Sequence, residues 1–331
     1  MTETVIQASE NSHFFPPVSV VVPIYNGEKD LPDLLECLRR QTYPRQQVEY
    51  LLVDNNSRDH TGEILATAAA SCQADPSSIK LYALNQNHIQ SSYAARNTGI
   101  QAATGQIIAF TDADCRPKPD WLANLIQPFI AENVGIVAGE IVALSGKTLL
   151  EKYADIQETL SQKHTLDHSF CPYGQTANLA IRRWIFSEIG LFRPYLTTGG
   201  DADICWRILR GTNWQIKFAP LALVEHRHRS TLRQLKSQWR RYGESNRYLH
   251  EIHGVELMRE LTPRESIYRL SRWLLKELPI ATGKTLLGKN TLVDLLKTPI
   301  DLICWQARTE GQRASKLSDE ALIVPDLFVS E

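Results

Sequence analysis

Two aspartates, Asp112 and Asp114, stand one residue apart directly after the largely apolar run 107–111. Such a run predicts a buried strand, and ligands of open α/β sheets bind beyond the carboxyl ends of the strands. Carboxylate and phosphate oxygens are the donors that Mg²⁺ and Mn²⁺ prefer. The pair therefore predicts a divalent-metal site for a diphosphate. The alternative is that the two acids only cap a helix or line a solvated turn.

The elements that must position these acids alternate along the first half of the chain. Short apolar runs predict strands, and apolar residues at helical spacing predict helices. The predicted strands are 18–24, 49–53, 79–84 and 106–111, and the predicted helices are 28–41, 59–71, 91–103 and 121–131. This alternation predicts the fold class α/β, with a mixed, mostly parallel sheet flanked by helices.

The second half is less regular. Its predicted strands are 135–144, 175–182 and 214–224, and its predicted helices are 148–162, 201–210 and 232–250. Residues 264–308 are predicted to be helical, with interruptions at Pro279, Gly283 and Pro299. The residues after Glu310 show no period, and we expect them to pack loosely.

The composition is that of an ordinary globular protein, with 331 residues, 43% hydrophobic, 22% charged and a formal net charge of −1. No general field attracts nucleic acid, so we expect no nucleic-acid partner. The six cysteines are scattered without a Cys-x-x-Cys pair, which favours free thiols in a reducing cytoplasm. We find neither a secretory leader nor about 18 consecutive apolar residues, and therefore expect a cytoplasmic protein without a transmembrane helix.

Several motifs now follow one another in order, at 18–26, 52–59, 94–100, 110–114, 139–140 and 199–207. This succession resembles family 2 glycosyltransferases, the inverting enzymes of the GT-A fold, over about residues 18–243. The resemblance implies transfer of a sugar from a nucleotide-diphosphate donor to a hydroxyl of a glycan or lipid-linked acceptor, as in polysaccharide biosynthesis for the cell envelope. It divides the chain into a flexible leader (1–16), a GT-A domain (17–250, with a nucleotide-binding half at 17–115 and an acceptor half at 116–250), a helical C-terminal extension (251–310) and a tail (311–331).

For the donor, the resemblance implies that the first two strand ends grip the nucleotide. The residues so assigned are Pro23, Tyr25, Asn26, Glu28, Asp54 and Asn55, with Arg96, Asp112 and Ala113 also placed in the donor site. A polar strand end can pair with a pyrimidine edge, so we expect a UDP-sugar, with GDP- and dTDP-sugars as alternatives. Asn55 departs from the commoner Asp, which leaves the base open. A helix-capping turn at 54–59 and a surface role for Arg96 are the structural alternatives.

For the metal, the resemblance assigns Asp112 and Asp114 as ligands of Mn²⁺ or Mg²⁺. It offers His226 as a further ligand and His228 as the runner-up. Such an ion would neutralise the departing nucleoside diphosphate as a Lewis acid. A purely structural histidine is the alternative.

For catalysis, Asp201 aligns with the family's general base, which takes the proton of the attacking hydroxyl. Gly200 replaces the Glu of the family pattern, whereas Asp203 is kept. The predicted acceptor residues are Asn178, Gly200 and Asp203. The alternatives are an N-cap role for Asp201, a helix-dipole role for Asp203 and backbone satisfaction by Asn178.

A basic stretch at 226–247 carries seven Lys and Arg residues against one acid, Glu244. It could close over the diphosphate, meet anionic lipid headgroups or form a solvated helix face. The helices within 267–303 could lie on a membrane surface, pack on the core or form a dimer. Peripheral contact with the inner face of the cell membrane and the oligomeric state therefore stay open.

Two other functions compete with glycosyl transfer. A sugar nucleotidyltransferase would need a glycine-rich, basic phosphate loop after the first strand, where this chain has Tyr25-Asn-Gly-Glu28 instead. A non-catalytic nucleotide-binding module of the same fold would not need Asp112, Asp114 and Asp201 together. The sequence therefore favours the transferase over both.

Overall fold

The computed structural model describes residues 14–287 and 291–327. Its strands are β1 (Val18–Ile24), β2 (Val48–Asp54), β3 (Lys80–Asn85), β4 (Ile107–Thr111), β5 (Cys115–Pro117), β6 (Val134–Ala143), β7 (Asn178–Arg182) and β8 (Gln215–His226). They form one sheet in the order β3-β2-β1-β4-β7-β6-β8-β5. Most of the predicted leader lies outside the described residues, and Phe14 and Phe15 pack against the core.

The helices flank this sheet and continue beyond it. They are α1 (Leu31–Arg39), α2 (Thr61–Ala74), α3 (Ser92–Ala102), α4 (Trp121–Ile126), α5 (Leu149–Ile156), α6 (Gln162–Leu166), α7 (Ile185–Ile189), α8 (Gly200–Gly211), α9 (Leu232–His253), α10 (Pro263–Arg272), α11 (Leu278–Leu286) and α12 (Leu292–Ala314). A π-helical turn, Trp273–Glu277, joins α10 to α11. Within the described residues, none of these helices combines the length and apolarity that crossing a membrane requires.

The sheet is mixed and mostly parallel, which confirms the predicted fold class. Strands β1, β2, β3 and β4 are mutually parallel, as are β6 and β8, whereas β7 runs antiparallel to β4 and β6, and β5 antiparallel to β8. All seven residues of β1 are buried, as expected for a central strand covered on both faces. Strands β1, β2 and β4 therefore end at one edge, where polar side chains meet solvent.

Strand β5 and helix α7 are absent from the sequence-based prediction. Each is too short to show a period, with three and five residues. Strand β5 matters for the site, because its pairing with β8 sets Cys115 opposite His226. It thereby connects the chain just after Asp114 to the far end of β8.

The predicted interruption at Pro299 is wrong, because α12 continues through it. Proline has no N–H to donate, so the carbonyl of Leu295, one turn earlier, loses its helical partner. The indole N–H of Trp273 donates to that carbonyl at 2.9 Å. This side chain from the preceding helical segment makes the internal proline tolerable.

Helices α9 and α12 pack very closely along their length because two glycines face the opposite backbone. A Cβ at Gly243 would lie 1.9 Å from the carbonyl oxygen of Arg308, and one at Gly311 would lie 2.0 Å from that of Arg240. A methyl group at either position would force the helices apart. The glycines therefore set the position of α12 against the main domain.

The expectation that residues after Glu310 pack loosely is also wrong for the described ones. Helix α12 extends to Ala314, and both Ala321 and Leu327 are buried in the second hydrophobic cluster of the core. The backbone N–H of Leu191 donates to the carbonyl of Pro325 at 2.8 Å. These buried side chains and this hydrogen bond anchor the segment, although its apolar residues form no periodic pattern.

Candidate active site

The two acids at the end of β4 lie beside a histidine from the end of β8. Ligand atoms of Asp112, Asp114, Cys115 and His226 all lie within 4.8 Å of one another. The imidazole Nε2 of His226 is 3.3 Å from a carboxylate oxygen of Asp114, and its Nδ1 is buried without a hydrogen-bond partner in the described structure. A buried nitrogen without a partner beside two carboxylates fits a bound cation.

Not every member of this cluster suits a hard divalent ion. Cys115 is fully buried, and its Sγ lies 3.9 Å from the carbonyl oxygen of Ala177. Burial raises the pKa of the Cys115 thiol well above its ordinary value, which favours the neutral form. The members of the cluster whose chemistry suits Mg²⁺ or Mn²⁺ are therefore Asp112, Asp114 and His226. His228 does not belong to the cluster, and burial lowers its pKa to about 4.

Arg96 reaches this cluster from α3. It is buried, and its Nη2 donates to Asp112 Oδ1 at 2.6 Å. Its guanidinium lies over the ring of Tyr93 at 5.5 Å, and its Nε has no partner among the described residues. The alternative of a surface arginine is therefore wrong. Arg96 instead brings a positive charge with spare donors to the acid pair.

Asp201 stands in the first turn of α8. Its Oδ1 accepts from the hydroxyl of Thr176 at 3.0 Å and its Oδ2 from the Thr176 backbone N–H at 3.3 Å. Burial raises the pKa of the Asp201 carboxyl, with a further rise from Asp112, while Arg96 and the Thr176 bonds act in the opposite direction. A carboxylate with a raised pKa suits proton abstraction.

These groups share one cavity. Its volume is about 830 Å³, and its lining includes Arg96, Asp112, Asp201 and His226. The opposite wall comes from α9 and α12, through Trp239, Arg241, Tyr242 and Arg308, together with Tyr173. A cavity of this size holds a ligand larger than a simple metabolite. Asp112 and Asp201 can therefore both contact molecules that bind in this cavity.

The residues predicted to grip the nucleotide lie around the ends of β1 and β2. Tyr25 is half exposed, while Pro23 is buried within β1. The backbone N–H of Asn26 donates to Ser57 at 2.8 Å, and Glu28 accepts from the backbone and ring of His60. Their roles with a base or ribose stay predictions.

Three further donor-site predictions have different surroundings. Asp54 accepts from the backbone N–H of Ser57 at 3.1 Å, and α2 begins after His60, whose side chain forms no capping hydrogen bond. The amide nitrogen of Asn55 donates to the carbonyls of Gln86 and Ile89, and its oxygen lies 3.3 Å from Gln90 Nε2. Asn55 thus holds the loop after β3 and leaves no amide proton for a base. Ala113 lies beside Gly27, at the junction of the metal cluster with β1.

The predicted acceptor residues do not face the cavity, and here the structure corrects the sequence. Asn178 is fully buried, accepts from the indole of Trp121 at 2.7 Å and donates to two backbone carbonyls at 2.7 and 2.8 Å. Its backbone-satisfying alternative is therefore the one that fits. Gly200 is buried against Tyr93, whose hydroxyl accepts from its N–H at 2.9 Å.

Asp203 is likewise buried away from the cavity. It binds Arg193 at 3.1 Å, Arg207 at 3.0 Å and His253 at 2.9 Å. Burial opposes its ionisation, yet His253 and the two arginines lower the pKa of Asp203 to about 2. It holds α8 to α9 and to the segment before α8. Asp201 and Asp203 are two residues apart in the same helix but have different environments, because Asp201 lines the cavity and Asp203 faces the core.

Several residues that line the cavity were not predicted from the sequence. Thr176 is an ordinary threonine in a predicted strand, and only the fold brings it to Asp201. Arg308 and Asp301 belong to α12, far beyond the motifs. The one available signal was the pair Gly243 and Gly311, since glycine inside a helix often marks close packing. Trp184 is half exposed and packs edge-on against Trp214.

Comparison with known proteins identifies two matching family models. The model for glycosyl transferase family 2 matches residues 19–190, and that for glycosyl transferase family group 2 matches residues 107–291. Glycosyltransferase AglE of Haloferax volcanii is 30% identical over 267 residues, covering 78% of this chain and 80% of that protein. Pre-mycofactocin glycosyltransferase of Mycobacterium tuberculosis is 30% identical over 233 residues, and the match spans 69% of this chain but only 46% of that longer protein.

A similar solved structure is that of mannosyltransferase PcManGT from Pyrobaculum calidifontis in complex with GDP-Man and Mn²⁺. Its TM-score is 0.63 at 19% identity, and the alignment covers 92% of this chain and 89% of that one. At this identity the likeness concerns the fold. The alignment extends well past the family motifs, so it includes most of the C-terminal helices.

Proposed function

Because this chain belongs to glycosyl transferase family 2 and is a glycosyltransferase, we propose that it works by an inverting, metal-dependent mechanism. A sugar would pass from a nucleotide-diphosphate donor to a hydroxyl of a glycan or lipid-linked acceptor. The observation that supports this proposal is the shared cavity, which Asp201, Asp112 and His226 all line. An inverting displacement needs a base and a leaving-group site on opposite sides of the sugar.

The donor end of the reaction belongs to Asp112, Asp114 and His226. These residues would hold Mn²⁺ or Mg²⁺, which supplies positive charge to a departing nucleoside diphosphate. Arg96 adds a fixed positive charge beside Asp112, with an Nε that no described residue satisfies. Charge-assisted bonds from such an arginine suit a phosphate oxygen. We propose a UDP-sugar as the donor, with GDP- and dTDP-sugars as alternatives.

Asp201 would act as the general base. Its carboxylate accepts the acceptor's hydroxyl proton as the new bond forms between that oxygen and the anomeric carbon, while the bond from the anomeric carbon to the donor phosphate breaks. The electron pair of the broken bond leaves on the nucleoside diphosphate. Thr176 keeps the carboxylate oriented through both oxygens, which reduces the reorganisation needed in the transition state.

The acceptor would approach from the side of α9 and α12. We propose that this side meets a membrane surface through α10, α11 and the turn between them. Leu275, Leu286 and Leu287 are each more than 70% exposed there. Lys and Arg outnumber Asp and Glu seven to three in residues 263–297, which complements an anionic lipid surface.

The test is turnover of a panel of UDP-, GDP- and dTDP-sugars with Mn²⁺, with Asp201→Asn as the matched variant. We expect one donor class to release its nucleoside diphosphate, and the variant to lose about a hundredfold or more in rate while it still binds that donor. Normal turnover by Asp201→Asn would exclude its role as base. Release of pyrophosphate would indicate a nucleotidyltransferase, and binding without turnover of any donor a non-catalytic module.

A further inference from the structure

The cavity wall formed by α9 and α12 carries two arginines, Arg241 and Arg308, that form no ion pair with an acid among the described residues. Four arginines line the cavity: Arg96, Arg229, Arg241 and Arg308. Arg96 is paired with Asp112, and Arg229 lies 3.8 Å from Asp114. Within residues 14–287 and 291–327, neither Arg241 nor Arg308 has an ion-pair partner. Arg241 and Arg308 therefore differ from Arg96 and Arg229, which each lie beside a carboxylate of the acid pair.

Arg308 makes only neutral contacts. Its Nε and Nη2 donate to the amide oxygen of Asn246, at 2.9 and 3.1 Å in the amide orientation that satisfies both groups. Arg241 donates to the backbone carbonyl of Thr197 at 2.9 Å. The nearest acid on α12 that lines the cavity, Asp301, accepts a hydrogen bond from the hydroxyl of Tyr153. Burial of a guanidinium without a counter-ion is costly unless a ligand supplies the charge.

The two arginines lie at the same contact between α9 and α12, because Arg308 of α12 donates to Asn246 of α9 and a Cβ at Gly311 of α12 would lie 2.0 Å from the carbonyl oxygen of Arg240, the neighbour of Arg241. Burial raises the pKa of the Tyr242 phenol, while the charges of Arg229, Arg241 and Arg308 oppose that rise. Tyr173, Asp201 and Arg308 all line the cavity, and burial raises the pKa of the Tyr173 phenol, Asp201 raises it further and Arg308 lowers it. Arg229, in contrast, lies 3.8 Å from Asp114 of the acid cluster.

We propose that Arg241 and Arg308 form a subsite for a phosphate group carried by the acceptor. This inference rests on the proposed function, because it takes Asp201 as the base that faces the acceptor. Arg308 is partly buried and Arg241 is exposed at the cavity rim, and both guanidinium groups suit a phosphate, since the planar fork donates to two of its oxygens. Arg308 lies outside both family-model matches. Arg241, on α9, lies within the second match, so the subsite combines a residue of the matched region with one from α12, and it selects an anionic acceptor over a neutral one.

The experiment measures binding of farnesyl phosphate, farnesol and inorganic phosphate by calorimetry, with UDP and Mn²⁺ at saturation so that the donor side is filled. We expect farnesyl phosphate to bind and farnesol to bind much more weakly. Arg308→Gln and Arg241→Gln should each weaken farnesyl phosphate about tenfold or more. Arg308→Lys should recover part of the loss because it keeps the charge.

The matched control is Arg240→Gln, because Arg240 lies next to Arg241 on α9 but does not line the cavity and pairs with Glu244. Its affinity for farnesyl phosphate should not change. Equal affinity for inorganic and farnesyl phosphate, both lost in Arg308→Gln, would support the subsite and identify a soluble phosphate as its source. Unchanged binding by Arg308→Gln, or farnesol binding as tightly as farnesyl phosphate, would overturn the proposal.

Two outcomes separate this inference from the proposed function. A loss of UDP affinity in Arg308→Gln as large as its loss of farnesyl phosphate affinity would move Arg308 to the donor site and overturn the subsite. Failure to turn over any nucleotide sugar would refute the proposed function, yet the phosphate measurements would stand, because they require no transfer.

Discussion

Thr176 donates to both carboxylate oxygens of Asp201, through its hydroxyl at 3.0 Å and its backbone N–H at 3.3 Å. Thr176 is itself buried, at 2% exposure, so water does not replace these bonds. The pair holds the carboxylate in one orientation at the cavity wall. It also stabilises the ionised form, against the burial that raises the pKa of Asp201.

Replacing Thr176 by Val should move the pH dependence of transfer. Loss of the hydroxyl bond raises the pKa of Asp201 further, and the base is active only when ionised. The acid limb of kcat should therefore shift to higher pH by about one unit. Thr176→Ser keeps the bond and should leave the limb in place. A pH–rate profile of the three proteins decides it, and identical profiles would remove Thr176 from this role.

Removal of His226 should weaken the metal site. We expect His226→Ala to lose most of the rise in Tm that Mn²⁺ and UDP together produce, because the cluster would keep only two carboxylates. His228→Ala is the control, since His228 is equally buried but lies outside the cluster. Thermal denaturation with and without EDTA measures both. A larger loss in His228→Ala than in His226→Ala would contradict the assignment.

Asp203 should make the protein sensitive to acid. Its folded-state pKa is about 2, below the ordinary value, so its stabilising effect is complete above about pH 4. That effect is lost as the pH falls towards 2, and it amounts to the order of 2 kcal/mol. Asp203→Asn should therefore lower the free energy of unfolding at pH 7 and flatten its decline below pH 4. Urea titrations across this pH range test the slope.

The exposed leucines of α11 and the preceding turn should decide membrane binding. We expect the double variant Leu275→Glu, Leu286→Glu to bind phosphatidylglycerol vesicles at least about tenfold more weakly than the unchanged protein. Leu221→Glu is the control, because Leu221 is 71% exposed on β8, away from these helices. Vesicle co-sedimentation gives the comparison. Equal binding of all three proteins would refute the proposed membrane surface.

Much of the fold could be predicted because its central strands are buried on both faces. The sequence prediction of β1 matches its observed bounds, Val18–Ile24, and the four buried leucines of α1 lie on the expected face. Prediction failed where tertiary partners override local signals. Pro299 is accepted inside α12 because Trp273 satisfies the freed carbonyl, and nothing in the local sequence announces that contact.

Some residues of the site could be predicted from the sequence, whereas others could not. Asp112, Asp114, His226 and Asp201 come together around one region, since strand ends converge at the edge of a sheet. The roles of Asn178 and Asp203 could not be assigned from their motif positions. Each is buried in the core, whereas the residue two positions earlier, Thr176 or Asp201, lines the cavity. Thr176 and Arg308 had no motif, and only the packed structure brings them to the cavity.

The close backbone contacts at Gly243 and Gly311 determine the spacing between α9 and α12. The spacing between these two helix backbones sets where Arg308 lies against α9. A side chain of one carbon at either glycine would widen that gap and leave β4 and its acids untouched. Selection could thus change which molecule receives the sugar by resizing a helix contact, while the chemistry of the donor stays as it is.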